Sequence, residues 1–414
     1  MSFPGIHLPS IPPASERRIA LRVTGSAEHA LRKEHPWLFA NAITRQSHEG
    51  RPGDLAVIFD NQRKFLAIGL YDPTSPIRVR VLQHRKPSKI DQSWFAAKIA
   101  AAIQIREDLP SNTNAYRLVH GENDRLPGIV IDRYAQSLVL KIYTPAWIPY
   151  LDNLNHILND MLRPERIILR LGRGTQRYPQ FLYNLDDGTT IYGSHPDEPV
   201  LFLENGITFE ADLVRGQKTG FFLDQRDNRA RVEKISKNRR VLNVFSYTGG
   251  FSVYAARGGA VEVVNIDLSK PALDSARRNF SYNQSHAAIA TCHQDIRAGD
   301  VFKIMKTWAE KNQQFEMVII DPPSFAKKQD EISQAIATYQ RLTHLGLGVL
   351  APGGILVQAS CSSRVSKSAF FNAIHRAAQV SQRPLTEIER TGHALDHPIG
   401  FREGEYLKCL FAIG

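Results

Sequence analysis

The chain has little cysteine, no long apolar run and no internal repeat. Its 414 residues hold three cysteines, Cys292, Cys361 and Cys409. They stand far apart, and no two have metal-ligand spacing. So few thiols in so long a chain do not make a disulfide framework, and a reducing cytosol with a cytoplasmic location is expected. No run approaches the roughly 18 apolar residues of a membrane-crossing helix, so no membrane partner is expected. No low-complexity tract is present. The first sixteen residues, Met1 to Glu16, hold four prolines. They lack a basic leader followed by an apolar core, and read as a flexible extension rather than a signal peptide. His393 and His397 are four apart, but Pro398 opposes a helix presenting both to one ion, so no metal site is expected.

What is present begins with size and charge. The length exceeds one ordinary core, so two or three domains are expected. Hydrophobic residues make up 43%, enough for well-packed cores, and the net charge is +11. The isoelectric point is about 9.5. Such a balance fits a polyanionic partner, and equally a generally basic soluble enzyme.

Residues 17–90 read as a β-rich module. Ile19 to Val23 alternates, Leu55 to Phe59 and Phe65 to Tyr71 are apolar runs, and Ile77 to Val81 places Arg78 and Arg80 on the face opposite its apolar residues. His35-Pro36-Trp37-Leu38-Phe39 is an aromatic stretch after a basic helical turn. Arg78, Arg80, Arg85, Lys86 and Lys89 suit a phosphate backbone, or else a solvated edge strand. Residues 91–213 read as a linking helix, Asp91 to Asp108, and a small α+β block. That block comprises strands Gly128 to Asp132 and Ser137 to Tyr143, a helix from Ile148 to Leu162, a strand Arg166 to Leu171, and a hairpin turning at Glu204-Asn205-Gly206.

Residues 214–414 alternate between strand and helix, which predicts an α/β, doubly wound, mostly parallel sheet. Its predicted strands are Val241 to Phe245, Val261 to Ile266, Ala288 to Cys292, Phe315 to Ile320, Ile355 to Ala359 and Glu405 to Ala412. The chain is organised around the first of these. After it come a small-residue turn, Ser246 to Gly250, and a helix start at Phe251. A glycine turn between a parallel strand and a helix N-terminus lets a nucleotide-like ligand approach the backbone, although such turns also serve packing alone.

Asp267 ends the second predicted strand, 18 residues beyond Gly249. A carboxylate there suits the two ribose hydroxyls of an adenosine. Asp295, after the third, suits the adenine amine. Each also reads as a helix N-cap. The pair fits NAD or S-adenosylmethionine. The turn is no Gly-x-Gly-x-x-Gly, which favours the cofactor without phosphates. Asp321-Pro322-Pro323-Ser324-Phe325 follows a buried run. Two prolines restricted in φ make a rigid lip, Asp321 offers an acceptor to a planar amine, and Phe325 offers a ring for stacking. Cys361 closes the next strand among serines. A thiolate there suits addition to an electron-poor ring carbon, whereas a lone strand cysteine otherwise reads as core, as Cys292 and Cys409 do. Between Arg215 and Arg240, nine basic residues face three acids. This stretch reads either as an exposed basic helix or as a lid with an RNA-facing side.

Four motifs together resemble the class I S-adenosylmethionine-dependent 23S rRNA 5-methylcytosine methyltransferases. They are Gly-Gln-Lys-Thr-Gly-Phe-Phe-Leu-Asp-Gln-Arg-Asp-Asn-Arg at 216–229, Asn-Val-Phe-Ser-Tyr-Thr-Gly-Gly-Phe-Ser at 243–252, Asp-Pro-Pro-Ser-Phe at 321–325 and Ser-Cys-Ser at 360–362. The stretches at 35–39 and 75–80 resemble that family's PUA-type RNA-binding domain, and 397–408 is also similar. The resemblance covers nearly everything after residue 17. It implies a PUA-like domain, an α+β middle domain and a Rossmann-like methyltransferase domain, with S-adenosylmethionine as cofactor.

It further implies that Asn243, Tyr247 and Gly249 form the methionine-side turn, that Asp267 holds the ribose and that Asp295 meets the adenine. Lys218, Phe222, Asp224 and Arg226 are implied to lie beside the cofactor. Cys361 would be the nucleophile and Asp321 its catalytic neighbour. Pro322, Pro323 and Phe325, with Arg78 and Arg80, would contact the substrate, 23S rRNA or a large-subunit precursor. Many 5-methylcytosine enzymes carry a second cysteine at the proline-rich motif. None stands here, which implies a single-cysteine route. Members of the family are often dimeric, so a homodimer is among the expected partners. Two other readings stand beside this one: an rRNA guanine-N methyltransferase that uses the Asp-Pro-Pro lip without a cysteine, and a non-catalytic RNA-binding assembly protein.

Overall fold

The computed structural model describes residue 5, residues 7–326 and residues 328–414. They form two compact units. The first comprises Met1–Phe202, Ala211–Leu223 and Leu395–Phe401, and the second Leu203–Glu210, Asp224–Ala394 and Arg402–Gly414.

The first unit holds two sheets. In the six-stranded sheet the order is Trp37–Phe39, Ile77–His84, Phe65–Tyr71, Leu55–Phe59, Ile19–Val23, Ile43–Gln46. Its pairings are antiparallel except between Ile19–Val23 and Leu55–Phe59. The five-stranded sheet runs Thr190–Gly193, Arg166–Leu171, Ser137–Ile142, Ile129–Tyr134, Ala115–His120. Its core is built from Ile131, Leu140, Leu169, Phe95 of the helix Gln92–Ile105 and Leu154 of the helix Leu151–Leu162. The short strands Trp37–Phe39, Ile43–Gln46, Ala115–His120 and Thr190–Gly193 were not legible, because none carries a full period-2 apolar pattern.

The extension expected at 1–16 is not loose where it is described. His7 N donates to Ile191 O at 3.0 Å, Gly193 N to Gly5 O at 2.9 Å, and Ser15 N to Asp54 at 2.8 Å. Leu8 and Ile11 pack on the core. Residues 1–4 and 6 lie outside the described residues.

The second unit carries a seven-stranded sheet, numbered here within the unit. Its strands are β1 (Arg240–Val244), β2 (Glu262–Asp267), β3 (His293–Ala298), β4 (Phe315–Ile320), β5 (Leu350–Ser360), β6 (Thr386–Thr391) and β7 (Lys408–Ile413). The order is β3-β2-β1-β4-β5-β7-β6. All pairings from β3 to β5 are parallel, and β7 runs antiparallel to both β5 and β6. The helices are α1 (Arg226–Lys234), α2 (Gly250–Arg257), α3 (Lys270–Ser281), α4 (Ala287–Thr291), α5 (Val301–Glu310), α6 (Ile332–Gly348) and α7 (Lys367–Val380). The sheet is doubly wound, as predicted, and the order reverses beside β1. Ligands in such sheets bind outside the carboxyl ends of the strands at that reversal.

Three expectations are corrected. Ala288 to Cys292, predicted as the third strand, is α4 and its C-cap; the strand begins at His293. A short run of alanines around one isoleucine fits either state by pattern, and only Ile289 of α4 is buried. The charged edge strand β6 was missed, since its first five residues are all exposed. The division expected after residue 213 does not coincide with that of the two units. Ala211–Leu223 packs with the first, where Lys141 Nζ donates to Lys218 O and Thr219 Oγ1 to Asp132, both at 2.6 Å.

Candidate active site

The second unit's candidate site forms at the carboxyl ends of β1, β2, β4 and β5. The turn after β1 is tightly contorted. Phe245, Tyr247 and Gly249 have φ of +57°, +48° and +74°. Side chains rarely adopt such values, at a cost of about 1 kcal/mol each for the two non-glycines. Gly249 is required on a second ground, because a Cβ there would stand 2.9 Å from Ala276 Cβ of α3. The contortion is held by side chains. Tyr247 N donates to Asp267 Oδ2 and Ser269 N to Asp267 Oδ1, each at 2.9 Å. Asn279 Nδ2 donates to Thr248 O at 2.9 Å. Beneath the turn, Asn243 Nδ2 donates to Ser252 Oγ at 2.9 Å, and that hydroxyl donates to Asn265 Oδ1 at 2.7 Å.

Asp267 is therefore not the N-cap of α3; Ser269 is. Asp267 ties the β2 end to the β1 turn and stays half-buried. Asn243 is buried and braces strand against helix. The hydroxyls of Ser246 and Thr248 are buried and have no hydrogen-bond partner among the described residues. Buried polar atoms are normally satisfied, so two orphans in one turn suit a polar ligand. Asp295 lies inside β3, not after a strand as expected. Its carboxylate accepts from Arg297 Nε and from Ile296 N, both at 2.8 Å.

A second layer comes from the Asp-Gln-Arg-Asp-Asn run that opens α1. Asp224, 3% exposed, accepts from Tyr406 OH at 2.8 Å. Arg226 and Arg229 are each 2% exposed. Arg229 forms two charge-assisted bonds to Glu204, at 2.8 and 2.6 Å. Both helix-facing readings of this basic stretch are thereby corrected for its first turn: these cations lie inside, and Arg229 neutralises a buried carboxylate. A directional chain follows from the same run. Thr391 donates to Asn228 at 2.5 Å, Asn228 to Gln225 at 2.6 Å, and Gln225 to Asp321 Oδ2 at 2.9 Å. Asp321 is thus oriented by a relay that begins on β6.

Pro322 is buried and Pro323 exposed. Phe325 meets Tyr339 edge to face at 5.4 Å and stays half-buried. Cys361 begins the loop after β5, and its Sγ lies 3.9 Å from Pro322 O. Cys361 is the half-exposed thiol of the three, while Cys292 and Cys409 are buried. Burial pushes the Cys292 thiol up to about 12 and that of Cys409 up as well, so neither ionises at neutral pH.

Lys218 and Phe222 belong to the first unit, with the Lys218 ammonium 4.4 Å above the Phe222 ring. Arg78 is half-buried, bonds Asp72 O at 3.3 Å and lies 5.8 Å from the Tyr71 ring centre. Arg80 does not share an open face with it, contrary to expectation. It is 7% exposed and bonds Ile77 O at 3.3 Å, packed against Gly128. Sequence reasoning missed Gln225, Tyr406, Ser246, Thr248 and Lys408. All five stood inside stretches already singled out, at 216–229, 243–252 and 397–408, but nothing local marked these particular side chains.

The strand order, the glycine turn and the acidic residue closing β2 define the class: a Rossmann-like methyltransferase. A family model for S-adenosylmethionine-dependent methyltransferases matches residues 116–390, and one for PUA-like domains matches residues 21–84. A "Ribosomal RNA large subunit methyltransferase" of Deinococcus radiodurans is 45% identical over 408 residues, covering 97% of this chain and 99% of that one. A "Ribosomal RNA large subunit methyltransferase I" of Photobacterium profundum is 37% identical, covering 92% and 96%. A solved protein from Streptococcus mutans shares the fold at TM-score 0.81 and 22% identity, covering 95% of this chain and all of that one. The chain belongs to the large-subunit ribosomal RNA methyltransferases and uses S-adenosylmethionine. No helix among the described residues is long and apolar enough to cross a membrane.

Proposed function

We propose that the protein methylates carbon 5 of a cytosine in 23S rRNA or its large-subunit precursor, through a transient bond to Cys361. One observation carries this reading: the half-exposed Cys361 sulfur stands 3.9 Å from the backbone of the Asp-Pro-Pro lip, at the carboxyl edge of the sheet. A nitrogen-methylating site needs the lip but no thiol.

The orphaned hydroxyls of Ser246 and Thr248, the positive-φ turn at Tyr247 and Gly249 and the carboxylate of Asp267 fit an adenosine-bearing, phosphate-free cofactor. Asp224 and Arg226 lie in the same unit, and Asp295 suits the adenine once it exchanges Arg297 for a base amine. S-adenosylmethionine, when bound, supplies the electrophilic methyl group. The chain's own residues do the rest. Asp321, fixed by Gln225, accepts a hydrogen bond from the cytosine amine once the base is extruded from its stack. Pro322 and Pro323 keep that acceptor from drifting, and Phe325 offers its ring to the base. The Cys361 thiolate adds to carbon 6 and drives an electron pair onto carbon 5, making that carbon nucleophilic. After methylation, loss of the carbon-5 proton returns the pair to the ring and expels the thiolate. The β-rich module and the net charge of +11 suit RNA docking, with Arg78 on that module.

The test is transfer of labelled methyl from S-adenosylmethionine to unmodified rRNA by wild type and Cys361→Ala, with the product nucleoside identified. Label in 5-methylcytosine for wild type alone supports the reading. Label in guanine, or an equally active variant, overturns it in favour of nitrogen methylation. RNA binding without label would mark a non-catalytic assembly protein.

A further inference from the structure

Lys408 is 1% exposed, at the start of β7 and paired in register with Ser360 at the end of β5. Its ammonium donates to Ser362 O and to Val365 O, the latter at 2.7 Å. These two carbonyls flank the loop that Cys361 begins. Among the described residues no carboxylate pairs with Lys408. Glu405, a carboxylate whose charge favours the ammonium, is already bridged to Lys367 at 2.5 Å. A buried cation without a counter-ion is costly, and two neutral carbonyls do not cancel its charge. The cation therefore points to an anion that the resting contacts do not include. The adjacent half-exposed group able to become one is the thiol of Cys361.

We propose that Lys408 is a positioning residue for methyl transfer: it fixes the loop 361–365 from beneath and stabilises the Cys361 sulfur as a thiolate. This rests on the reading of Cys361 as nucleophile. The proton leaves the half-exposed sulfur for bulk water. On addition the sulfur–carbon 6 bond forms and the negative charge passes into the ring. Methyl transfer to carbon 5 cancels that charge; loss of the carbon-5 proton to water then re-forms the ring double bond, breaks the sulfur–carbon 6 bond and leaves the charge on sulfur. Lys408 neither gives nor takes a proton throughout.

Several other groups act on this pair. Asp321 on the lip and Cys361 both act on Tyr339 of α6, and Tyr339 bonds Ser360 at 2.7 Å. Lys367 of α7 opposes a second cation, whereas Glu405 and Cys361 favour it. Burial lowers Lys408 to about 8, with Cys361 the largest opposing influence, so the side chain is still charged at neutral pH.

The test is the pH dependence of Cys361 alkylation by iodoacetamide, read by mass spectrometry of its peptide, with Cys361→Ser as the blank. Wild type should titrate below the ordinary thiol value. Lys408→Met should raise the midpoint and slow alkylation at pH 7 by about tenfold, the effect of losing a near opposite charge. Lys408→Arg should restore most of it. An unchanged midpoint in a folded Lys408→Met protein overturns the proposal. If Lys408→Met does not fold, a wild-type midpoint at or above the ordinary thiol value overturns it instead. Methyl transfer by Lys408→Met should fall in kcat with little change in KM for RNA. The alkylation readout is independent of methyl transfer. If Cys361→Ala proves active, the catalytic reading fails while the effect of Lys408 on the thiol is still measured.

Discussion

Gln225 Nε2 donates to Asp321 Oδ2 at 2.9 Å, and this bond is the last link of a relay running from Thr391 through Asn228. The Asp-Pro-Pro lip is thereby oriented from two elements distant in sequence. The acceptors in turn are the amide oxygens of Asn228 and Gln225 and the carboxylate of Asp321. Gln225→Ala should leave cofactor affinity within a factor of two and lower kcat by about 10- to 100-fold, as expected when a positioned group loosens by an ångström. Calorimetric S-adenosylmethionine titration beside single-turnover kinetics separates the two effects.

Asp321→Asn keeps the shape of the lip and removes its charge. An amide oxygen is a weaker acceptor for a base amine than a carboxylate. Methyl transfer should fall by about 100-fold or more, with unfolding temperature changed little. A variant as active as wild type would exclude Asp321 from base recognition.

Gly249→Ala meets two penalties at once, a φ of +74° and a Cβ placed 2.9 Å from Ala276. The expected loss is about 1–3 kcal/mol of stability, with weaker cofactor binding because the turn must shift. Denaturant unfolding with and without S-adenosylmethionine measures both.

Arg229 and Glu204 are 2% and 0% exposed and doubly bonded to each other. Glu204→Ala leaves a buried guanidinium without its counter-charge and should cost about 3–5 kcal/mol. Replacing both residues with apolar ones of similar volume should cost much less. A double-mutant cycle by chemical denaturation gives the coupling.

Lys408 also carries a pH prediction. Burial lowers its folded value to about 8, below the ordinary lysine value of the unfolded chain. Between those two values the unfolded chain binds more protons, so the stability of wild type relative to Lys408→Met should rise with pH across that window. Below about 8 the difference should be flat. Unfolding midpoints at pH 7, 8, 9 and 10 for both proteins check the slope, and a difference that falls with pH would contradict it.

How much of this was legible in the sequence follows from where the information lies. Phe315–Ile320 and Leu55–Phe59 were placed to the residue, because each is a short apolar run with clear stop signals. Asp267, Gly249, Asp321 and Cys361 were singled out because strand ends and the turns after them collect ligand-facing residues in such sheets. What failed depended on distant partners. Nothing local says that Arg80 turns inward onto Gly128, or that Arg229 meets Glu204 rather than water. Nothing in Leu395–Phe401 says that it packs with the first unit, where Asp396 accepts from Arg117 N at 2.8 Å. α4 shows the remaining kind of failure: five residues with one buried side chain do not declare a period.

The central claim is a bond between Cys361 and carbon 6 of the target cytosine. It is tested most directly by mass spectrometry of the protein after incubation with S-adenosylmethionine and rRNA carrying 5-fluorocytosine. Fluorine at carbon 5 cannot leave as the proton does, so elimination is blocked and the sulfur–carbon 6 bond should persist. The expected result is a stable protein–RNA adduct on the Cys361 peptide, absent in Cys361→Ala. A wild-type protein that methylates ordinary rRNA yet forms no adduct, or forms one on another residue, would contradict the assignment.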